Sequence, residues 1–236
     1  MLYENVGPLT AASGVARIYA PIAYSIVRSL QAVPIVHIEA VAVASWFPIC
    51  WRSDPAGCQL VALRSLYRDG SHQPVGSPES ASSLPLILRA YPFVVESSPS
   101  DGDQVMLEAS VPDRPTDVGA TILTSEGKPG RGADLRLRAV AGFRSALPFT
   151  QELTRELEKR DMLEPWPLSL DSVAGVEPLD DLKIVRQSTY DSPAMFQFIR
   201  KFGPAAAIFL GAHRISLFRA GNLFQAAKST NQKAEG

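Results

Sequence analysis

Hydrophobic positions in the first half of the chain fall into short, β-branched runs separated by turn chemistry. Residues 33–43 are rich in valine, residues 46–51 follow after Ser45, and residues 59–67 come after the turn Ser53-Asp54-Pro55-Ala56-Gly57. Such runs predict strands. Arg68-Asp69-Gly70-Ser71 opens a proline- and serine-rich stretch reaching about residue 83, which predicts an exposed loop. Pro85 starts a short helical turn over residues 84–89. Residues 91–96 read as a strand with Pro92 at its entry, and 103–109 and 120–124 as further strands with a loop at 112–117 between them.

The period changes in the second half. Residues 139–147 lead to Pro148, and a second helical stretch, 150–163, carries Phe149, Leu153 and Leu157 four apart, with Glu156 and Arg160 as an i,i+4 pair on its polar face. Pro165 and Pro167 close that stretch, and two short strands follow, around Leu168 and over 182–186. Ser192-Pro193 offers an N-cap with proline at the first helical position, and Gly203 stops that helix after Phe202. The last helix, from Pro204 to about Lys228, places Ala206, Leu210, His213, Leu217, Ala220 and Phe224 on one apolar stripe. Strands first and helices later predict an α+β fold, mainly an antiparallel sheet from the N-terminal half packed against C-terminal helices. A single domain over 1–236 is expected, with a flexible loop at about 71–83 and a disordered tail at about 229–236.

Composition narrows the function classes. Of 236 residues, 46% are hydrophobic and 20% charged, as in a folded protein, and the formal net charge of -1 gives no basic footprint for nucleic acid or anionic lipid. The apolar segment 15–36 is interrupted by Arg17, Pro21, Arg28 and Pro34, so it reads neither as a secretory signal nor as a membrane span. A cytoplasmic location is the default expectation, with leaderless export to the cell surface as the alternative. Cys50 and Cys58 flank the Ser53–Gly57 turn and could face each other across a hairpin, but two cysteines in a chain of this length are expected to be ordinary thiols.

Motif chemistry is sparse. There is no Gly-x-Ser-x-Gly elbow and no phosphate loop, and Gly127, Gly130 and Gly132 lack dinucleotide-fingerprint spacing and read as a turn. His37-Ile38-Glu39 has the His-x-acid pattern of iron-dependent 2-oxoglutarate oxygenases, and on a strand residues 37 and 39 would share a side. His213 would be the second histidine, although its place on an apolar helix stripe favours a hydrogen-bonded core residue. Glu39 lies in an apolar run and needs a partner if buried; Arg89 or His213 would serve. Arg89 itself could pair with Glu39 or Glu96, or clamp an anionic ligand. A shared Glu39–Arg89–His213 cluster is therefore expected. No cofactor is predicted.

Two distant segments carry a family resemblance. One is Pro85-Leu86-Ile87-Leu88-Arg89-Ala90-Tyr91-Pro92-Phe93; the other is Ala212-His213-Arg214-Ile215-Ser216-Leu217, running on to Leu223. With Leu2-Tyr3-Glu4-Asn5, Val33-Pro34-Ile35-Val36-His37-Ile38-Glu39 and Trp46-Phe47-Pro48-Ile49-Cys50-Trp51, their order resembles the SapC family of bacterial proteins. The match departs from the family pattern at Ala90, at Arg214, at Ile208-Phe209 and in the serine-rich loop before Pro85. The resemblance implies a link to surface-layer or envelope processes, with protein partners there or in a modification system. It adds Tyr91, Phe93 and Ser216 to Glu39, Arg89 and His213 as binding candidates. Three roles are carried forward: a non-enzymatic accessory or binding protein, a metal-dependent enzyme built on Glu39, Arg89 and His213 with His37 as a further ligand, and a self-associating structural subunit.

Overall fold

A computed structural model describes residues 2–10, 17–55, 57–74, 84–95, 104–115, 118–170, 173 and 175–234. Its strands are β1 (Val6–Pro8), β2 (Arg17–Ile18), β3 (Ala32–Pro34), β4 (Ile49–Asp54), β5 (Gly57–Leu63), β6 (Met106–Glu108), β7 (Ala120–Thr121), β8 (Leu163–Pro165) and β9 (Leu182–Val185). Its α-helices are α1 (Ser25–Arg28), α2 (Ala40–Ala44), α3 (Leu86–Ala90), α4 (Arg131–Lys159), α5 (Pro193–Phe202), α6 (Pro204–Ser216) and α7 (Ala220–Ala234). The fold is α+β, as the order of elements predicts. Of the loop expected at about 71–83, residues 75–83 lie outside the described residues, as does Glu96.

The chain divides into two compact units, residues 1–29 with 78–145 and residues 30–77 with 146–236. In the first, β1 pairs antiparallel with β6, and β2 with β7. The predicted strand at 91–96 reduces to one bridge, Phe93 to Leu107, among the described residues. Backbone bonds to β6 flank that bridge, Val94 N–H to Met106 O and Glu108 N–H to Pro92 O, and α4 side chains hold other carbonyls of the segment: Arg136 donates to Tyr91 O at 2.9 Å, as well as to Gly132 O and Tyr19 O, and Arg144 donates to Val95 O and Val94 O.

In the second unit a five-stranded antiparallel sheet has the order β3-β5-β4-β9-β8. The turn at 54–57 makes β4 and β5 a hairpin with Ile49 opposite Ala62 and Trp51 opposite Leu60. Because side chains alternate across a strand, Ile49, Trp51, Leu60 and Ala62 fall on one face and Cys50, Val61 and Leu63 on the other. Both faces are covered. The first packs against Leu153 and Leu157 of α4, Phe198 of α5 and Phe209 and Leu210 of α6; the second packs against Leu223 and Ala227 of α7 and Val173 and Leu179.

Several local expectations change. The run 33–43 forms a strand only at β3; residues 37–39 make a 3-10 turn leading into α2. The cause is a cap: the Glu39 carboxylate accepts the Val36 N–H at 2.8 Å, and the turns that follow bury Ala40, Val43 and Ala44. α4 runs through Pro148, giving up one backbone donor there, and ends at Lys159, ahead of Asp161 at φ +51°. A strand appears at 163–165 rather than around Leu168. The last helix is split by a 3-10 turn at 217–219, which moves the buried stripe from Ala206, Leu210 and His213 to Leu223 and Ala227, leaving Leu217 and Phe224 half-buried. The helix then reaches Ala234, inside the segment read from sequence as a tail.

Ser192-Pro193 and Gly203 behave as predicted: the Ser192 hydroxyl accepts the Met195 N–H at 3.2 Å, and Gly203 leaves the helix at φ +75°. Glu156 and Arg160 form their i,i+4 pair. Cys58 stands opposite Ser53 and Cys50 opposite Val61, so the two thiols do not face each other and both are free.

Candidate interaction surface

His213 is fully buried on the inner face of α6, where its ring meets Trp51 edge-on with centroids 4.9 Å apart. Nδ1 lies 2.8 Å from Ile49 O, and Nε2 accepts the Val185 N–H at 3.2 Å. An acceptor facing an N–H must be unprotonated, so Nδ1 carries the proton and donates to the carbonyl. Burial depresses the pKa to about 4, which agrees with a neutral ring. One turn on, the Ser216 hydroxyl accepts the Ile49 N–H at 2.8 Å and donates to His213 O. His213 and Ser216 thus clamp one peptide strand, and His213 has no free nitrogen for a metal.

The other metal candidates are also committed elsewhere. His37 lies on a 3-10 turn, with Nδ1 2.9 Å from Thr150 Oγ1 and its ring against Phe149. Glu39 caps the same turn. Since residues 37 and 39 are not on a strand, the geometry expected for a first ligand pair is lost. Among the described residues, no three His, Cys, Asp or Glu side chains are grouped to hold a metal ion.

Arg89, Tyr91 and Phe93 belong to the first unit, Glu39, His213 and Ser216 to the second. Neither unit assembles the expected Glu39–Arg89–His213 cluster. Tyr91 is buried, with its hydroxyl donating to Ser110 Oγ at 2.7 Å and its ring against Tyr24; burial pushes its pKa up to about 12. Phe93 is fully buried, and its carbonyl accepts from the Tyr3 hydroxyl. Arg89 is half-buried at the end of α3. These residues build the core of their unit.

The surface feature that needs explanation lies on the outer side of α6. α2 and α6 pack side by side, and a groove of about 340 Å³ between them is lined by Val41 and Ala44 of α2, Ser45 just after it, and Ile208, Gly211 and Ile215 of α6, with Arg219 beyond. Val41, Ile208 and Ile215 are 58%, 60% and 63% exposed. Ile38 and Phe218, each one turn from a lining residue, extend the exposed apolar surface. No carboxylate lines the groove, and Arg219 reaches across its end to donate from Nε to Ala44 O at 3.5 Å.

Sequence reasoning used one stripe of this helix and missed the other. The signal was present: Pro204, Ile208, Gly211 and Ile215 recur at spacings of four, three and four, so α6 is apolar on both sides. A helix with a second apolar stripe is either buried all round or meets a partner.

Neither the curated proteins nor the solved structures contain a match to the chain. No helix among the described residues is long and apolar enough to cross a membrane. The model of the SapC family matches residues 15–190, about three quarters of the sequence and all five strands of the two-faced sheet, while α5, α6 and α7 lie beyond the matched stretch. On that match the chain belongs to the SapC family.

Proposed function

We propose that this SapC-family chain is a non-enzymatic accessory or binding component of bacterial surface-layer or envelope processes, and that it holds a protein partner on the outer face of α2 and α6. The observation that carries the reading is the unpaired apolar groove. Exposed Val41, Ile208 and Ile215 sit together on a rigid base, because the opposite side of α6 is bolted to β4 through His213 and Ser216. The family resemblance supplies the setting, surface-layer and envelope biology. Residues weighed for a metal-dependent reaction are instead used in caps, clamps and core contacts, so the binding role is the one with geometry behind it.

The test is a crosslinking pull-down from the native cell with the wild-type chain and with an Ile208→Asp/Ile215→Asp variant, read by mass spectrometry. An envelope or modification-system protein captured by the wild type, lost in the variant, and binding the purified chain directly supports the reading. Partners captured equally by both chains, or a sole partner from an unrelated process, count against it.

A further inference from the structure

The composition of the groove says what kind of partner segment fits it; this step rests on reading the α2/α6 face as a docking surface. Three features bear on the occupant. First, the longer wall, α6, is a thirteen-residue helix whose mid-helix backbone groups are bonded within it, so along Ile208–Ile215 the groove offers side chains and no backbone ladder. An extended segment laid there would leave its own N–H and C=O groups without protein partners, whereas a helix carries its hydrogen bonds with it. From Ile208 to Arg219 the groove is about 18 Å long, at about 1.5 Å per residue to Ser216 and about 2 Å through the 3-10 turn, which matches roughly three turns of a partner helix.

Second, Gly211 sits in the middle of α6, on the floor of the groove. Glycine weakens a helix interior, and it is usually tolerated where a neighbouring backbone comes close. Here a Cβ added at Gly211 would meet nothing within 4 Å of the chain's own atoms. Nothing inside this protein requires the missing side chain. A helix seated in the groove would make use of it, since a small residue at the crossing point lets two helix backbones approach closely.

Third, the charge is one-sided. Arg219 ends the groove with a guanidinium for which no ion pair is seen among the described residues, and the lining contains no acid. A second copy of this face would bring no carboxylate from its lining to meet that arginine. A different chain carrying Asp or Glu one turn beyond its apolar residues would complement it.

We propose that the α2/α6 groove binds an amphipathic helix of another protein, its apolar face on Val41, Ile208 and Ile215, its backbone closest at Gly211, and a carboxylate on Arg219. The test uses a displayed library of 14-residue helical peptides selected on the full-length chain, with the Ile208→Asp/Ile215→Asp variant for counter-selection. Enriched peptides are expected to share apolar residues at i, i+3 or i+4, and i+7, followed by an acid. Affinity measured by fluorescence anisotropy should fall more than about tenfold in Gly211→Leu, while Gly211→Ala should raise the melting temperature by about 1–4 °C and still weaken binding. Arg219→Gln should weaken binding by about fivefold, and only for peptides that keep their acid.

Peptides that need Ile208 and Ile215 but carry no acid and ignore Arg219 or Gly211→Leu overturn the helix-and-carboxylate inference while leaving the docking face standing. Failure to enrich any groove-dependent peptide also overturns it, with the crosslinking experiment deciding the broader reading separately. Sedimentation showing a dimer that Ile215→Asp abolishes, or flotation with anionic phospholipid vesicles that the same substitution abolishes, overturns it in favour of self-association or lipid.

Discussion

His213 and Ile49, 164 residues apart in sequence, are locked together: the imidazole Nδ1 donates to the Ile49 carbonyl at 2.8 Å, and Ser216 takes the N–H of the same residue. The ring's other nitrogen holds the Val185 N–H, so one side chain fastens α6 to two adjacent strands. Removing it strands two buried polar groups, the Ile49 carbonyl and the Val185 N–H. His213→Ala is expected to destabilise the chain by about 3 kcal/mol or more, through lost hydrogen bonds and a cavity beside Trp51. Denaturant melts at pH 7.5 check this; a loss below 1 kcal/mol would contradict the clamp.

The same histidine makes stability depend on pH. Its folded pKa is about 4 against an ordinary 6.5, so between those values the unfolded chain binds more protons than the folded one. The contribution is complete above pH 6.5 and is lost as the pH falls from there towards 4, amounting to about 3 kcal/mol at one proton's slope. His37, depressed by partial burial, adds in the same direction. A His213→Gln variant should show a clearly shallower slope over this window. Equal slopes in the two proteins would mean that the histidine does not titrate with unfolding.

Ser216→Ala leaves the buried Ile49 N–H without its acceptor and should cost about 1–3 kcal/mol. Because Ser216 and His213 hold the two backbone groups of one residue, Ile49, their effects should not add: a double-mutant cycle is expected to give a coupling of about 1 kcal/mol. Strict additivity would show two separate contacts.

The thiols should differ sharply. Burial pushes Cys50 up to about 12, whereas Cys58 is partly exposed beside Ser53 and Lys183. Iodoacetamide at pH 8 is expected to modify Cys58 in the folded chain and Cys50 only after unfolding. Mass spectrometry of the peptides reads the outcome, and rapid native labelling of Cys50 would place it wrongly.

In the first unit, Arg136 reaches three backbone carbonyls, those of Tyr91, Tyr19 and Gly132. Arg136→Met keeps the stem and removes the donors, so it should destabilise by about 2 kcal/mol. Arg136→Lys should recover only part of that loss, since one ammonium cannot reproduce the fork. Full recovery by lysine would argue that charge, not geometry, matters there.

Much of the frame was legible because short-range chemistry decided it. The Asp54–Gly57 turn, the Ser192 cap with Pro193 and the Gly203 stop are local instructions, and each took effect where the sequence placed it. Residues 36–44 were misread because their valines suggest a strand, while one carboxylate three residues along, Glu39 to Val36, capped a helical turn. Pro148 was misread because burial of Ala146, Leu153 and Leu157 by the helix outweighs one missing donor. At the site, the resemblance singled out His213 and Ser216, but their role is inward. The outer stripe of Ile208, Gly211 and Ile215 escaped notice because apolar residues on a helix read first as core, and only coordinates tell which of two stripes is covered.

The 3-10 interruption at 217–219 lets a single terminal segment serve both sides of the sheet, with α6 on one and α7 on the other. The stretch that the family model matches is therefore not self-sufficient. A polypeptide halted at residue 190 would keep every strand yet strip Phe209 and Leu210 from one side and Leu223 and Ala227 from the other. During synthesis, the sheet must wait for residues 193–227 to emerge before both of its faces are covered.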